Sequence, residues 1–402
     1  MLAPLTTRTA RALLSPSARV LAAAALPDCG VGIAAELPWH DVHWPTLVAL
    51  VPHERAESQV FRLLRAAPEG AVPADVQRAV QSMYRVARFR SAELADAAAI
   101  AVNALDRAGV QGLWLKGAAL AMRSPQDFEI RGMGDLDVLV GTAFLGSARA
   151  ALGAAGWVAV PDHHGYDRHH HAAPMVWRNT VRLELHSALF PPGHPFADDD
   201  ARVWLERGEW LERNACRQRV LPAEWHLVHA STHWAWSHEG RVGSWQYLHD
   251  VHCLTAGWRA DGPEWSRVVD HAGTSGTGAA VGWALWCASR LADAAVPEAV
   301  LWSLRDGARL LDGLAEREWV LRAFHSPMAS PSVAWSRFWW RRALRGLGDA
   351  RQQWPWALGR GADVLPGSPS EAIPADRPLP SASGLGRQSA RWRRHLFHVL
   401  RA

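Results

Sequence analysis

Residues 113–140 read LWLKGAALAMRSPQDFEIRGMGDLDVLV, and the fold turns on how this stretch alternates. The segment LWL (113–115) is a short apolar strand ended at Gly117, and AALAMRS has the composition of a short helix. RGMG (131–134) is a glycine-punctuated turn, and DLDVLV (135–140) is an alternating strand. Downstream, FLGSARAALGAAG (144–156) predicts a helix stopped at Gly156, followed by a strand at WVAV (157–160). AAPMVWRNTVRLELHSAL (172–189) reads as a hairpin turning at Arg178, Asn179 and Thr180. Strands and helices therefore alternate from about 110 to 190, which is an α/β pattern.

Both flanks are helical. VPHERAESQVFRLLRAA (51–67) predicts one amphipathic helix, and residues 72–109 predict two more, ending at Gly109. From about 200 to 350 the pattern is helical and rich in tryptophan, and 361–386 is a Gly/Pro/Ser linker before a short basic segment. The expected organisation is an N-terminal helical segment (1–79), an α/β core with a mixed sheet (80–195), a mainly α-helical Trp/His-rich domain (196–350), and a linker with a basic tail (351–402).

The chain has 402 residues, 49% of them apolar and 20% charged, which excludes a mainly disordered protein. No apolar run approaches the ~20 residues of a membrane helix, and Pro16 and Arg19 break the stretch where a signal peptide needs its apolar segment. The expected location is cytoplasmic. The four cysteines are far apart and form neither a CxxC metal site nor a disulfide frame. The residues after Asp376 hold six of the 43 basic residues and none of the 39 acidic ones, so the rest of the chain is slightly acidic. That distribution excludes general nucleic-acid binding and leaves the tail as a surface for an acidic partner.

The densest chemistry sits on two predicted strands. Asp135 and Asp137 are two apart and so share one face. Paired acids repel unless a cation separates them, and Mg²⁺ takes one or two carboxylates together with phosphate oxygens. Solvated acids on an edge strand are the bland alternative. Glu184 lies between Leu183 and Leu185, a costly place for a carboxylate without a cation or partner. If the two strands are neighbours, three carboxylates converge, the inventory for two divalent ions that align an acceptor with an α-phosphate. Lys116 is the only lysine in the chain, and with Gly117 it stands at a strand-to-helix junction suited to a phosphate. Arg131, four residues before Asp135, is a further candidate phosphate ligand.

These residues carry a resemblance. The KG turn, Arg131, the DLD strand, the GW after the next helix, HHHAAPMV (169–176) and VRLELHSAL (181–189) together resemble the bacterial nucleotidyltransferase-like family of the DNA polymerase β-type superfamily, over roughly residues 80–260. The resemblance implies a nucleotidyltransferase-like core, Mg²⁺ (or Mn²⁺) in a two-metal arrangement, and an NTP donor. Asp135, Asp137 and Glu184 would be the metal-binding and catalytic acids; Lys116, Gly117 and Arg131 would hold the triphosphate. It names no acceptor, which could be a small molecule, a peptide or a protein, although such proteins often sit in clusters for modified peptides or surface polysaccharides. The chain departs from the superfamily pattern in lacking a serine beside Gly117 and in the long gap from Gly117 to Asp135.

Rival readings remain open at this level. The tract DHHGYDRHHH (162–171) either flanks the hairpin or lends His170 or His171 to a nucleotide. His226, His229 and His233 share a helical face; with His249, Asp250 and Asp270 they would suit an HD-type metal phosphohydrolase, or simply pack against the α/β core. A non-catalytic nucleotide-binding module of the same fold is the third reading. The Trp/Arg segment Trp335–Arg342 suits either a membrane-surface helix or a core helix whose arginines reach solvent.

Overall fold

The computed structural model describes residues 4–27, 30–123, 131–161, 170–190, 200–213, 216–305 and 312–324. At its centre is a seven-stranded mixed sheet: β1 (Leu113–Trp114), β2 (Asp135–Leu139), β3 (Trp157–Ala159), β4 (Met175–Trp177), β5 (Val181–His186), β6 (Glu209–Arg213) and β7 (Cys216–Val220). The spatial order is β3-β4-β5-β2-β1-β7-β6. β2 runs parallel to β5 and β1 parallel to β7, while the remaining neighbours are antiparallel. The hairpin of β4 and β5 turns where expected, with Arg178 and Asn179 both in left-handed backbone.

Alternation along the strands divides the polar from the apolar face. Leu136 and Val138 of β2, with Leu183 and Leu185 of β5, are fully buried in a core shared with Leu94, Ala98, Ala101 and Leu105 of the long helix Ala74–Arg107. The residues between them, Asp135 and Asp137 on β2 and Arg182, Glu184 and His186 on β5, emerge on the opposite face.

The helical part forms a second core. It joins helices Ala223–Thr232, Ser244–Leu254, Pro263–Thr274 and Gly278–Ala292 to the N-terminal helices Thr7–Leu13 and Pro16–Ala24. Trp204, Trp245, Trp286 and Trp319 are among its fully buried side chains, so much of the tryptophan content is core.

The structure departs from the local patterns in three places. The predicted pair over 72–109 is one continuous helix, Ala74–Arg107, since no glycine or internal proline interrupts it. The predicted helix over 51–67 is broken: helix Trp44–His53 ends, Arg55 adopts a φ of 55°, and helix Glu57–Arg65 begins. The sheet also takes β6 and β7 from a stretch read as helical. Among the described residues, no helix is long and apolar enough to cross a membrane.

Candidate functional site

β2 and β5 place Asp137 directly opposite Glu184 and Leu139 opposite His186. Paired residues of parallel neighbours share a face, so Asp137, Glu184 and His186 converge, and one ligand atom from each lies within 4.8 Å of the others. Asp137 Oδ1 accepts hydrogen bonds from Lys116 Nζ at 2.9 Å and His186 Nε2 at 2.8 Å. Arg182 Nη2 pairs with Glu184 Oε1 at 2.8 Å. Asp135 opens the strand outside this trio, half-buried, and acts electrostatically on both Lys116 and Glu184.

The charges are tuned by this neighbourhood. Burial opposes the Lys116 ammonium, but attraction to Asp137, Asp135 and Glu184 outweighs it and holds its pKa above the usual lysine value. Burial also opposes the Asp137 carboxylate; Lys116 and His186 overcome it and hold that group well below the usual range. Glu184 goes the other way: burial, then repulsion from Asp137 and Asp135, raises its pKa against the pull of Lys116 and His186.

Lys116 opens helix Lys116–Arg123 with a φ of 48°. A non-glycine residue in left-handed backbone is strained, and the residue here is the one whose ammonium reaches Asp137. Gly117 is needed for a different reason. A Cβ there would fall inside the Arg131 guanidinium and lie 2.6 Å from Met133 Sδ. Likewise, a Cβ on Gly134 would enter the Arg55 guanidinium, which packs against the RGMG turn.

The structure gives Arg131 a partner other than phosphate. Its Nε and Nη2 grip the two oxygens of Asp250, the latter at 2.8 Å, and the pair is buried. Arg131 thus ties the RGMG turn, which packs against Gly117, to helix Ser244–Leu254. The same contact corrects the HD-type reading, because both Asp250 oxygens are taken by Arg131 and Asp270 is exposed. His249 stacks on Trp245, and His229 on Phe190 edge to face. Burial lowers His229 to about 3 and His238 to about 4, so both are neutral imidazoles at neutral pH. Among the described residues, the only cluster of three potential metal ligands is Asp137, Glu184 and His186.

His186 is the site residue that the sequence reading left without a role. Its signal was the spacing E-x-H in LELH, which puts His186 on the face of Glu184. His171, a candidate nucleotide contact in the sequence, has its Nε2 3.9 Å from Glu184 Oε2. His163, His164 and His169, Trp335–Arg342 and the basic tail lie outside the described residues.

The donor set suits a divalent cation. Two adjacent carboxylates with Asp135 nearby supply hard oxygen ligands, and Asp137 keeps a second oxygen beyond the one taken by Lys116 and His186. The model of a family described as uncharacterised nucleotidyltransferase matches residues 40–293. No curated protein and no solved structure matches the chain. With more than half of its length matched, the chain belongs to the uncharacterised nucleotidyltransferase family.

Proposed function

We propose that this nucleotidyltransferase family member moves a nucleoside monophosphate from an NTP to an acceptor hydroxyl or phosphate. The observation that supports the reading best is the in-register pair Asp137–Glu184 on adjacent parallel strands, beside Asp135 and a lysine held in strained backbone. Asp135, Asp137 and Glu184 would hold the divalent cations, Mg²⁺ or Mn²⁺, which when bound supply positive charge to the transferring phosphoryl group.

Lys116 and the backbone of Gly117 would face the triphosphate, with Arg131 holding their turn through Asp250. The acceptor oxygen attacks the α-phosphorus, the bond to the β-phosphate bridging oxygen breaks, and pyrophosphate leaves. Glu184 would take the acceptor proton. Burial against the helical core limits water at Asp137 and His186.

Purified protein would be screened against the four NTPs with Mg²⁺, following pyrophosphate release and mass shifts on candidate acceptors, beside Asp135→Asn. An enzyme loses roughly a hundred-fold in turnover with that variant. A module that only binds nucleotide shows Mg-dependent affinity and no turnover in either protein. Wild type without any Mg-dependent nucleotide binding would refute both readings.

A further inference from the structure

Three carboxylates, Asp135, Asp137 and Glu184, meet two described cations, Lys116 and Arg182, on this face of the sheet. The imidazoles are not spread evenly around them. His186 Nε2 and His171 Nε2 each lie 3.9 Å from the same oxygen, Glu184 Oε2. That is too long for a hydrogen bond and close to the separation of two ligands that each bind one ion at about 2.0–2.2 Å.

The hydrogen on His171 has a definite place. Its Nδ1 lies 3.1 Å from the carbonyl oxygen of Ala172, and a carbonyl can only accept. Nδ1 therefore carries a hydrogen, which leaves Nε2 as the ligand nitrogen on the side of Glu184. An imidazole that donates one N–H to a backbone carbonyl and turns its other nitrogen to the ion is the usual support for a metal-binding histidine. His186 is 1% exposed. Among the described residues its Nδ1 has no hydrogen-bond partner, and an ion at Nε2 would move the ring hydrogen to Nδ1 and take the place of the hydrogen now shared with Asp137 Oδ1. His170 stands edge-on to both rings, with centroids 5.0 Å away.

We propose that Glu184, His186 and Asp137, with His171 beside His186, form a resident site for a borderline transition ion such as Zn²⁺ or Mn²⁺. It is one cation position of the proposed site and shares Asp137 and Glu184 with it, while the Mg²⁺ that arrives with the nucleotide would lie toward Asp135. Carboxylates alone favour Mg²⁺; imidazole nitrogen shifts the preference toward first-row transition ions. The inference rests on the reading of this face as the cation site of a nucleotidyltransferase.

The test uses the full-length chain, without a polyhistidine tag and stripped with chelator, titrated calorimetrically with Zn²⁺, Mn²⁺ and Mg²⁺. His186→Gln should weaken Zn²⁺ binding by roughly ten-fold or more while changing Mg²⁺ binding less than about three-fold. His171→Gln should weaken Zn²⁺ in the same direction by a smaller factor. Both variants keep the histidines at 163, 164 and 169, so adventitious binding there would be unaffected. Because a buried His186 replacement could impair folding, pulsed EPR of Mn²⁺ on the wild type gives a second readout, and directly bound imidazole nitrogen should couple to the ion. Absence of that coupling, or equal loss of Zn²⁺ and Mg²⁺ in folded His186→Gln, would overturn the site. Nucleotide titrations separate the two ideas. A nitrogen-ligated ion with no nucleotide affinity keeps this site and ends the transferase reading. Mg-dependent nucleotide binding without nitrogen ligation does the reverse.

Discussion

Lys116 Nζ lies 2.9 Å from Asp137 Oδ1, the oxygen that also receives His186 Nε2. The only lysine of the chain thus neutralises the most deeply buried acid of the site, from a backbone conformation that L-residues avoid. Lys116→Ala and Lys116→Gly remove the same ammonium, but glycine also relieves the left-handed strain. The glycine variant should be more stable by about 1 kcal/mol, as measured by denaturant unfolding. Both should weaken Mg-NTP binding by about ten-fold or more without unfolding the protein. Equal stability of the two variants would mean that the backbone at 116 relaxes at no cost.

Gly117 and Gly153 make opposite predictions. Alanine at 117 drives its Cβ into a guanidinium that Asp250 already holds, so it should cost about 1–3 kcal/mol. Alanine at 153, within helix Leu145–Ala154 and with nothing within 4 Å, should stabilise by about 0.5–1 kcal/mol. Thermal melts of the two variants test the contrast directly.

Arg131 and Asp250 are best tested as a pair. Each lies in a buried, bidentate contact, and removing either partner leaves an uncompensated charge. Arg131→Met and Asp250→Asn should each cost about 3–5 kcal/mol, and the double variant well under the sum. If Arg131 instead served phosphate alone, Arg131→Met would lower nucleotide affinity and leave the melting temperature in place.

Glu54 should make stability depend on pH. It is fully buried, its Oε2 accepts the backbone N–H of Trp245 at the start of helix Ser244–Leu254, and burial raises its pKa to about 7. A carboxyl that holds its proton more tightly when folded contributes most below its unfolded value near 4.5. That contribution falls by about 3 kcal/mol as pH rises through 7. Glu54→Gln keeps the acceptor and cannot ionise. Its stability relative to wild type should therefore improve from pH 4.5 to 7.5 in paired denaturation curves; a flat difference would contradict the assignment.

Period-two alternation in DLDVLV was enough to put Asp135 with Asp137, because side-chain direction on a strand depends only on the residue's own position. The KG turn was likewise readable as a junction. The role of His186 could have been read from the same alternation, since a histidine two residues from a half-buried glutamate must share its face. The break at Arg55 was not readable, because a favourable apolar period runs straight through it.

Local pattern thus determined which residues between 113 and 186 lie on strands, which face the acids of β2 and β5 present, and which acids could hold a cation; it did not show β6 and β7. Only the tertiary structure decided that β5 lies beside β2 in the register that sets Asp137 opposite Glu184. It alone joined Arg131 to Asp250 across 119 residues, and Glu54 to Trp245 across 191. Such pairings leave no periodic trace in either partner's neighbourhood. They are selected by the burial of two cores at once, where a charge removed from water must find its counterpart wherever the packing brings it.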